Sequence, residues 1–232
     1  GNRYKNRKNI IWILGGDRNP RQGTNDTGVW RAMAAGIAEG LGGNNKALMT
    51  FHPQPNKDGA SEWFHNDEWL DFNMFQTGHC RDASVFDNIQ GSYDRPLIKP
   101  VLNGEPIYED HPVCFNAADL GISNAYDVRK AAYLSLFAGA FGHTYGCHDI
   151  WQMYTQGKAA VNGAAMDWKL ALDLPGAGQM QHVRNLMESR PILDRVPDQS
   201  IIVENNRASY ERIQATRGLD YAFIYSATGI PF

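Results

Sequence analysis

Residues 9–20, with the sequence NIIWILGGDRNP, contain the stretch that decides the fold. Residues 10–14 are a short apolar run that ends at two glycines, which predicts a parallel β-strand covered on both faces. Asp17, Arg18 and Asn19 then place a carboxylate, a guanidinium and an amide at the carboxyl end of that strand. Ligands bind at this end in parallel α/β folds, although a Gly-Asp turn that caps the next segment explains the stretch equally simply.

Four further strands are predicted after the first one, with helices in the connections. The predicted strands are 10–14, 47–51, 73–77, 100–105 and 142–146, and the predicted helices are 28–41, 67–72, 127–141 and 178–189. The strands recur at roughly 30-residue spacing, which is the length of a strand with its crossover helix. An open doubly wound sheet and part of a (β/α)8 TIM barrel both fit this repeat.

The absence of nucleotide motifs favours the barrel. No GxGxxG or GxxxxGK[ST] sequence follows any predicted strand, so a nucleotide-binding open sheet is disfavoured and no cofactor is expected. A complete barrel takes about 250 residues. We therefore predict strands four to eight of an α/β barrel over residues 1–197. Short predicted strands at 200–204, 212–216 and 221–225 indicate that residues 198–232 begin a β-sandwich-like domain.

Bulk properties exclude several classes of protein. The formal net charge of −3 gives no electrostatic footprint for nucleic acid, and no apolar run reaches the roughly 18 residues that a membrane span needs. The three cysteines, Cys80, Cys114 and Cys147, are widely spaced and indicate neither a disulfide framework nor a zinc site. The chain begins with Gly rather than Met and is expected to be part of a longer protein.

Each predicted strand ends in a residue that can do chemistry: Asp17, His52, Gln76, Glu105 or His143. Asp17 and Glu105 are the two acids of this set, and they lie three β/α units apart. In a barrel they would face each other across the open end that carries the active site. Two carboxylates flanking one bond are what glycoside hydrolysis requires, and neighbouring groups must give them different pKa values.

Residues around these acids suggest how a sugar would be held. His52 and Gln76 can hydrogen-bond to sugar hydroxyls, and Trp63, Tyr145 and Trp151 can stack on ring faces. Solvent-facing or core roles explain each of them individually.

Two alternatives concern the chemistry itself. Glu109 also lies just beyond the fourth strand and rivals Glu105 as the second acid. A metal site is conceivable because five histidines lie near the strand ends: His52, His79, His111, His143 and His148. No HxH or HExxH spacing supports such a site, and no metal is expected.

Five segments of the chain carry a resemblance to a known family. In order, they are WILGGDRNP, MTFHPQP, FQTGH, KPVLNGEPIYED and GHTYGCHDIWQMY. Together they resemble the apiosidase-like glycoside hydrolases, family 140, which are (β/α)8 barrels followed by a collagen-binding β domain. The tail RIQATRGLDYAFIYSATGIPF is similar to the start of that second domain.

The resemblance implies a retaining mechanism, with Asp17 in GGDRN as general acid/base and Glu105 in PVLNGE as nucleophile. It implies action on pectic plant cell-wall glycans, including release of apiose, and a barrel whose strands one to three lie outside this chain. Substrate-binding roles are expected for Arg18, Asn19, His52, Trp63, Gln76, Tyr108, Glu109, His143, Tyr145, His148 and Trp151.

Other expectations complete the prediction. The partner is an oligosaccharide or polysaccharide, and the sequence sets no oligomeric state. The full-length protein is expected to be secreted, periplasmic or on the cell surface. A non-catalytic carbohydrate-binding barrel is the alternative function, and convergence of the Asp17 and Glu105 carboxylates on one pocket would discriminate against it.

Overall fold

The structure is a computed structural model that describes residues 1–204 and 207–229. The parallel strands are β1 (Ile11–Gly15), β2 (Leu48–His52), β3 (Asn73–Gln76), β4 (Val101–Glu105) and β5 (Gly142–His143). The helices are α1 (Thr27–Leu41), α2 (Ser61–Phe64), α3 (Val85–Tyr93), α4 (Ala117–Leu120), α5 (Ala125–Phe137), α6 (His148–Trp151), α7 (Trp168–Ala171) and α8 (Pro175–Glu188). Within the described ranges, no helix has the length and apolar character needed to span a membrane. The predicted alternation of parallel strands and helices is confirmed.

The five parallel strands form two sheets whose carboxyl ends carry the polar residues. β1 pairs with β2, and β4 lies between β3 and β5. The segment before β3 bonds to β2, since the Thr50 hydroxyl donates to the Phe72 carbonyl at 2.6 Å. The described strands thus form a two-stranded and a three-stranded parallel sheet, and a closed (β/α)8 barrel is not confirmed.

The core lies between the sheets and their helices. Leu14 and Phe51 are buried against α1. Because successive strand side chains point to opposite faces, Ile11, Ile13 and Leu48 point away from α1, and each of them is about half exposed. One face of β1 and β2 is therefore packed by helix, and the other presents apolar side chains.

Helix α5 is anchored at its first turn by side-chain contacts. Asn124 and Asp127 form a capping box at its first turn, an arrangement that satisfies amide groups left free at a helix start. The Arg81 guanidinium binds both Asp127 oxygens, at 2.9 and 3.1 Å. This contact ties the loop after β3 to α5 and so helps to fix the residues that precede Arg81.

A small antiparallel sheet follows α8, made of β6 (Val196–Pro197), β7 (Gln214–Arg217) and β8 (Ala222–Tyr225). It packs on α5 through Tyr225, whose ring stacks on Tyr133 with centroids 4.6 Å apart. The predicted strand at 200–204 is wrong. The chain instead makes a 3-10 turn at Gln199–Ile201, because the Asp198 carboxylate caps the Ser200 amide. Residues 205–206 and 230–232 of the predicted second domain lie outside the described residues, and its boundary stays a prediction.

The predicted helix at 67–72 is also wrong. The carboxylate of Asp67 accepts hydrogen bonds from Arg31 and Trp69, and that of Asp71 accepts from the Met49 amide. The two long-range contacts, from Arg31 and Met49, and the local one from Trp69 hold the segment in turns. The helix of this connection is α2, a few residues earlier. Helix α3 forms in a connection for which the sequence predicted none.

Candidate active site

The turn after β1 brings Asp17 to the carboxyl end of the sheet. Gly15 has a φ of +84°, and a Cβ there would lie 2.6 Å from the His52 carbonyl oxygen, so this position requires glycine. The Gly16 amide donates to that same carbonyl at 3.1 Å. Asp17 follows with a φ of +56°, in the left-handed region that Asp tolerates better than most residues. Its side chain is exposed at the edge of a cavity.

The cavity lies at the carboxyl ends of the parallel strands and has a volume of about 470 Å³. Both Asp17 and Glu105 line it. The other lining residues are Gln54, Pro55, Gln76, Thr77, Gly78, His79, Cys80, Tyr108, His111, Phe115, His148, Trp151 and Asn162. The two predicted acids, which are far apart in the sequence, therefore border the same cavity.

Glu105 is held as a carboxylate by donors on either side. Its Oε2 lies 2.8 Å from His52 Nε2, and its Oε1 lies 3.4 Å from His79 Nε2. Burial on its own raises the pKa of Glu105, but hydrogen bonds from His52, His79 and Tyr108 outweigh that effect and lower it to about 2. A carboxyl group with this pKa is ionised throughout the physiological range.

The phenol of Tyr108 is influenced by the charges of both acids. Burial raises the pKa of its phenol well above the ordinary value, and the charges of Glu105 and Asp17 raise it further. The phenol therefore stays protonated and donates to Glu105. Gln76 lies on the same wall, buried, with a side-chain oxygen that has no hydrogen-bond partner among the described residues.

Three buried histidines lie ring against ring along the cavity. His79 stacks on His111 with centroids 4.3 Å apart, and His111 meets His148 edge-on at 4.4 Å. Burial lowers the pKa of His111 to about 4, and the neighbouring histidines add to this effect. Burial, with a contribution from the neighbouring histidines, therefore favours the neutral form of His111.

No histidine belongs to a cluster that could share a metal ion in the described ranges. The group of acids, histidines and cysteines close enough for one ion is Cys80, Asp82 and Cys114. Its two cysteines are joined in a disulfide, so their sulfurs are not thiolate ligands. These residues do not fit a resident metal.

The Cys80–Cys114 disulfide was not predicted, and it corrects the interpretation of the cysteine spacing. It joins the loop after β3 to the connection between β4 and α5, across 34 residues of sequence. Phe115 follows Cys114, is 61% exposed, and packs edge-on against His111. The disulfide thus fixes an aromatic ring at the rim of the cavity.

Glu109 lies outside the cavity and is buried. Its Oε1 accepts the Gly176 amide at 3.0 Å, and its Oε2 accepts the Tyr145 hydroxyl at 2.7 Å. Gly176 lies in the first turn of α8, where free amides and the helix dipole favour a carboxylate. Glu109 and Tyr145 therefore anchor α8, which leaves Glu105 as the acid of this strand end that borders the cavity.

Four other predicted binding residues also lie away from the cavity. Arg18 points to Asp26, with their charged atoms 3.7 Å apart, and the Asn19 side chain accepts the Gln54 amide. Trp63 packs against the core side of β2. His143 faces α5, where Nδ1 lies 3.3 Å from the Ser135 hydroxyl and burial lowers its pKa to about 3.

The remaining predicted residues border the cavity or contact its acids. Gln76, Tyr108, His148 and Trp151 line it, and His52 contacts Glu105 directly. Sequence reasoning considered His79 and His111 only as metal ligands and passed over Gln54, Phe115 and Asn162. The strand-end pattern, FQTGH, was the available signal for His79.

Comparison with known proteins identifies the family of the chain. Residues 1–194 match the family model described as "Apiosidase-like, catalytic domain". Residues 196–232 match the model described as "Putative collagen-binding domain of a collagenase". Among curated proteins, none matches the chain.

Two solved structures are similar over nearly the whole chain. One, described as a glycoside hydrolase, has 40% identity and a TM-score of 0.87, covering 97% of this chain and 52% of its own. The other is a glycoside hydrolase family 5 protein from Bacteroides vulgatus ATCC 8482, with 40% identity, a TM-score of 0.88, and coverage of 97% and 51%. The chain thus spans about half the length of these structures. It belongs to the apiosidase-like family, with a glycoside hydrolase fold built from parallel sheets and a C-terminal antiparallel sheet.

Proposed function

We propose that the protein is a retaining glycoside hydrolase in which Glu105 is the nucleophile and Asp17 the general acid/base. The observation that carries the proposal is that both carboxylates border one cavity at the carboxyl ends of parallel strands. Retaining hydrolysis needs one ionised carboxylate to attack the anomeric carbon and one acid to protonate the leaving oxygen. The shared cavity favours hydrolysis over the alternative of a barrel that only binds carbohydrate.

Glu105 suits the nucleophile because its charge is stabilised before substrate arrives. Donors from His52, His79 and Tyr108 lower its pKa to about 2 against the effect of burial. In the covalent intermediate, the Glu105 oxygen becomes an ester oxygen, and the same donors remain to orient the carboxyl group. When the ester is hydrolysed, they stabilise the departing carboxylate.

Asp17 suits the acid/base because it is exposed to the space that substrate would fill. No side-chain ion pair or hydrogen bond of Asp17 appears among the described contacts, whereas Arg18 beside it is paired with Asp26. The Asp17 carboxyl group is thus free to give its proton to the leaving oxygen. It then removes a proton from the water that attacks the glycosyl ester.

The match to an apiosidase-like catalytic domain supports the release of apiose, and the resemblance to family 140 is the basis for proposing a pectic substrate. The cavity offers hydrogen-bonding groups at Gln54, Gln76 and Asn162 and an exposed aromatic face at Trp151. Sugars present hydroxyl edges and apolar faces, so this mixture of side chains suits a glycan. The proposed substrate is an oligosaccharide or polysaccharide of the plant cell wall.

We also propose that β1–β5 are strands four to eight of a (β/α)8 barrel. The exposed apolar side chains of Ile11, Ile13 and Leu48 lie on the face opposite α1, which closure of a barrel would bury. The domain boundary is proposed near residue 197. The Cys80–Cys114 disulfide supports a secreted, periplasmic or cell-surface location, since such bonds persist in oxidising compartments.

The test uses the intact protein that carries this chain. It is incubated with rhamnogalacturonan II and with other plant polysaccharides, and the released monosaccharides and their initial anomers are identified by NMR. The expected result is release of apiose with retention of configuration. Inversion, together with carboxyl groups about 6.5–9.5 Å apart instead of about 5–5.5 Å, would contradict the assigned roles. Tight glycan binding without hydrolysis would favour the alternative function, a barrel that only binds carbohydrate.

A further inference from the structure

We propose that His52 is a positioning residue that couples Asp17 to Glu105 through one fixed neutral tautomer of its imidazole. The proposal rests on the proposed hydrolase function and adds a residue to it. His52 ends β2, directly beside Gly15 at the end of β1. Its ring reaches the backbone of one proposed catalytic acid and the side chain of the other.

The two contacts of the ring assign its proton. The Asp17 amide donates to His52 Nδ1 at 2.9 Å, so Nδ1 must present a lone pair. The proton of the neutral ring is then on Nε2, which lies 2.8 Å from Glu105 Oε2 and donates to it. Both ring nitrogens are used, which replaces the predicted role of His52 in binding sugar hydroxyls.

The side chain and the carbonyl group of His52 both stabilise the turn that contains Asp17. Gly15, Gly16 and Asp17 all have positive φ values, a run of conformations that needs partners to persist. The His52 carbonyl accepts the Gly16 amide and the His52 side chain accepts the Asp17 amide. One residue thus satisfies both amides of the turn that carries the proposed acid/base.

The same ring helps to fix the plane of the Glu105 carboxylate. One oxygen accepts from His52 and the other lies near His79, so a tilt of the carboxylate plane would weaken a contact to one of the two donors. Adding a second proton to His52 would point an N–H at the Asp17 N–H. The charged ring is therefore incompatible with the Asp17 contact, and the coupling exists only in the neutral form.

Two conservative variants separate the contacts. In His52→Asn, the amide oxygen can replace Nδ1 as acceptor for Asp17, but no donor reaches Glu105. The acid limb of the kcat/KM profile should then move up by about 1–2 pH units, because a hydrogen bond to a charged group has been lost. In His52→Gln, the amide nitrogen can replace Nε2. The acid limb should stay in place while kcat falls about 10-fold or more as Asp17 loses its position.

A buried histidine outside the cavity provides the control. The ring nitrogens of His65 lie near the Asn73 side chain and the Pro96 carbonyl. His65→Gln should leave the acid limb where it is in the wild type. An unchanged acid limb in His52→Asn, or the same shift in both His52 variants, would overturn the coupling.

A spectroscopic measurement tests the tautomer without turnover. In wild-type protein with 15N-labelled histidine, the His52 signals should show an unprotonated Nδ1 and a protonated Nε2. The opposite tautomer, or a ring charged at neutral pH, would overturn the proposal whatever the variants do. If the tautomer is found but no glycan is hydrolysed, the proposed function fails, while the two contacts of the His52 ring stand. If hydrolysis is found with the opposite tautomer, the coupling alone fails.

Discussion

Two groups of acids follow the strands of this protein, and they differ in what covers them. The open pair, Asp17 and Glu105, borders the cavity. The buried acid cluster, made of the buried Glu109 and Asp149 and the half-buried Asp110, does not line the cavity. Asp149 is fully buried, and its Oδ1 accepts the amides of Ala165 and Met166, each at 3.1 Å.

The difference lies in what the hydrogen bonds leave accessible. Glu105 accepts from His52, His79 and Tyr108 and still borders the cavity. Glu109 accepts from Gly176 and Tyr145 and is sealed by the first turn of α8. A stabilised charge next to a cavity is available for chemistry. The same stabilisation at a closed site serves the fold, so removing the two kinds of acid should damage different properties.

The largest expected effect is on turnover in Glu105→Gln. The amide cannot form the glycosyl ester, so kcat should fall by about 10³-fold or more. Initial rates on the polysaccharide identified in the substrate screen measure the loss. Glu68→Gln, which changes an exposed acid outside the cavity lining, is the matched control and should keep wild-type kcat. Substantial activity in Glu105→Gln would remove the nucleophile assignment.

Asp17→Asn should have the next largest effect. Loss of general acid/base catalysis lowers rates by about 10²–10⁴-fold. The loss in kcat/KM should be smaller for a substrate whose leaving group needs no proton, such as a nitrophenyl glycoside of the released sugar. Equal losses on both substrates would argue that Asp17 has another role.

Glu109→Ala should damage stability rather than chemistry. The substitution leaves the Gly176 amide and the Tyr145 hydroxyl without their acceptor. The free energy of unfolding should fall by about 1–3 kcal/mol, measured by urea denaturation. The folded fraction should keep a kcat within a few-fold of wild type, and a drop comparable to that of Glu105→Gln would break the distinction between the two groups.

Titration of Asp110, in the buried acid cluster, makes the stability of the protein depend on pH. Burial raises its pKa from 3.8 to about 6, and the hydrogen bond and charge of Asp149 and the charge of Glu109 add to the effect. The folded state therefore holds the proton more tightly than the unfolded state. Its stabilising contribution is complete below about pH 3.8 and is lost as the pH rises through about 6.

Asp110→Asn removes this titration, because an amide stays neutral. The melting temperature of the variant should change less than that of wild type between pH 4 and pH 6 (the window set by those two pKa values) and should be higher at neutral pH. Thermal unfolding across this range measures the effect, with Glu68→Gln again as control. If the melting temperature of Asp110→Asn changed with pH as steeply as that of wild type, Asp110 would not titrate in this window.

The sequence was sufficient to predict what depends on local pattern. The apolar runs and glycines located the parallel strands, and the residues that follow them located Asp17 and Glu105 at one end of the sheets. These features follow from side-chain alternation and from the preference of glycine for positive φ.

Features that depend on distant partners could not be predicted. Glu105 and Glu109 are four residues apart in the sequence, and what distinguishes them is Gly176, 67 residues beyond Glu109. The disulfide likewise joins cysteines 34 residues apart. The helix predicted at 67–72 failed for the same reason, because Arg31 and Met49 bind the acids of that segment.

The central claim is that Glu105 attacks the sugar, and trapping the intermediate tests it most directly. The intact protein would be incubated with a slow 2-deoxy-2-fluoro glycoside of the released sugar, digested, and mapped by mass spectrometry. The account predicts a glycosyl ester on Glu105, absent in Glu105→Gln and retained in Glu109→Ala. An adduct on another carboxylate, or hydrolysis of the same glycoside with inversion and no adduct, would contradict it.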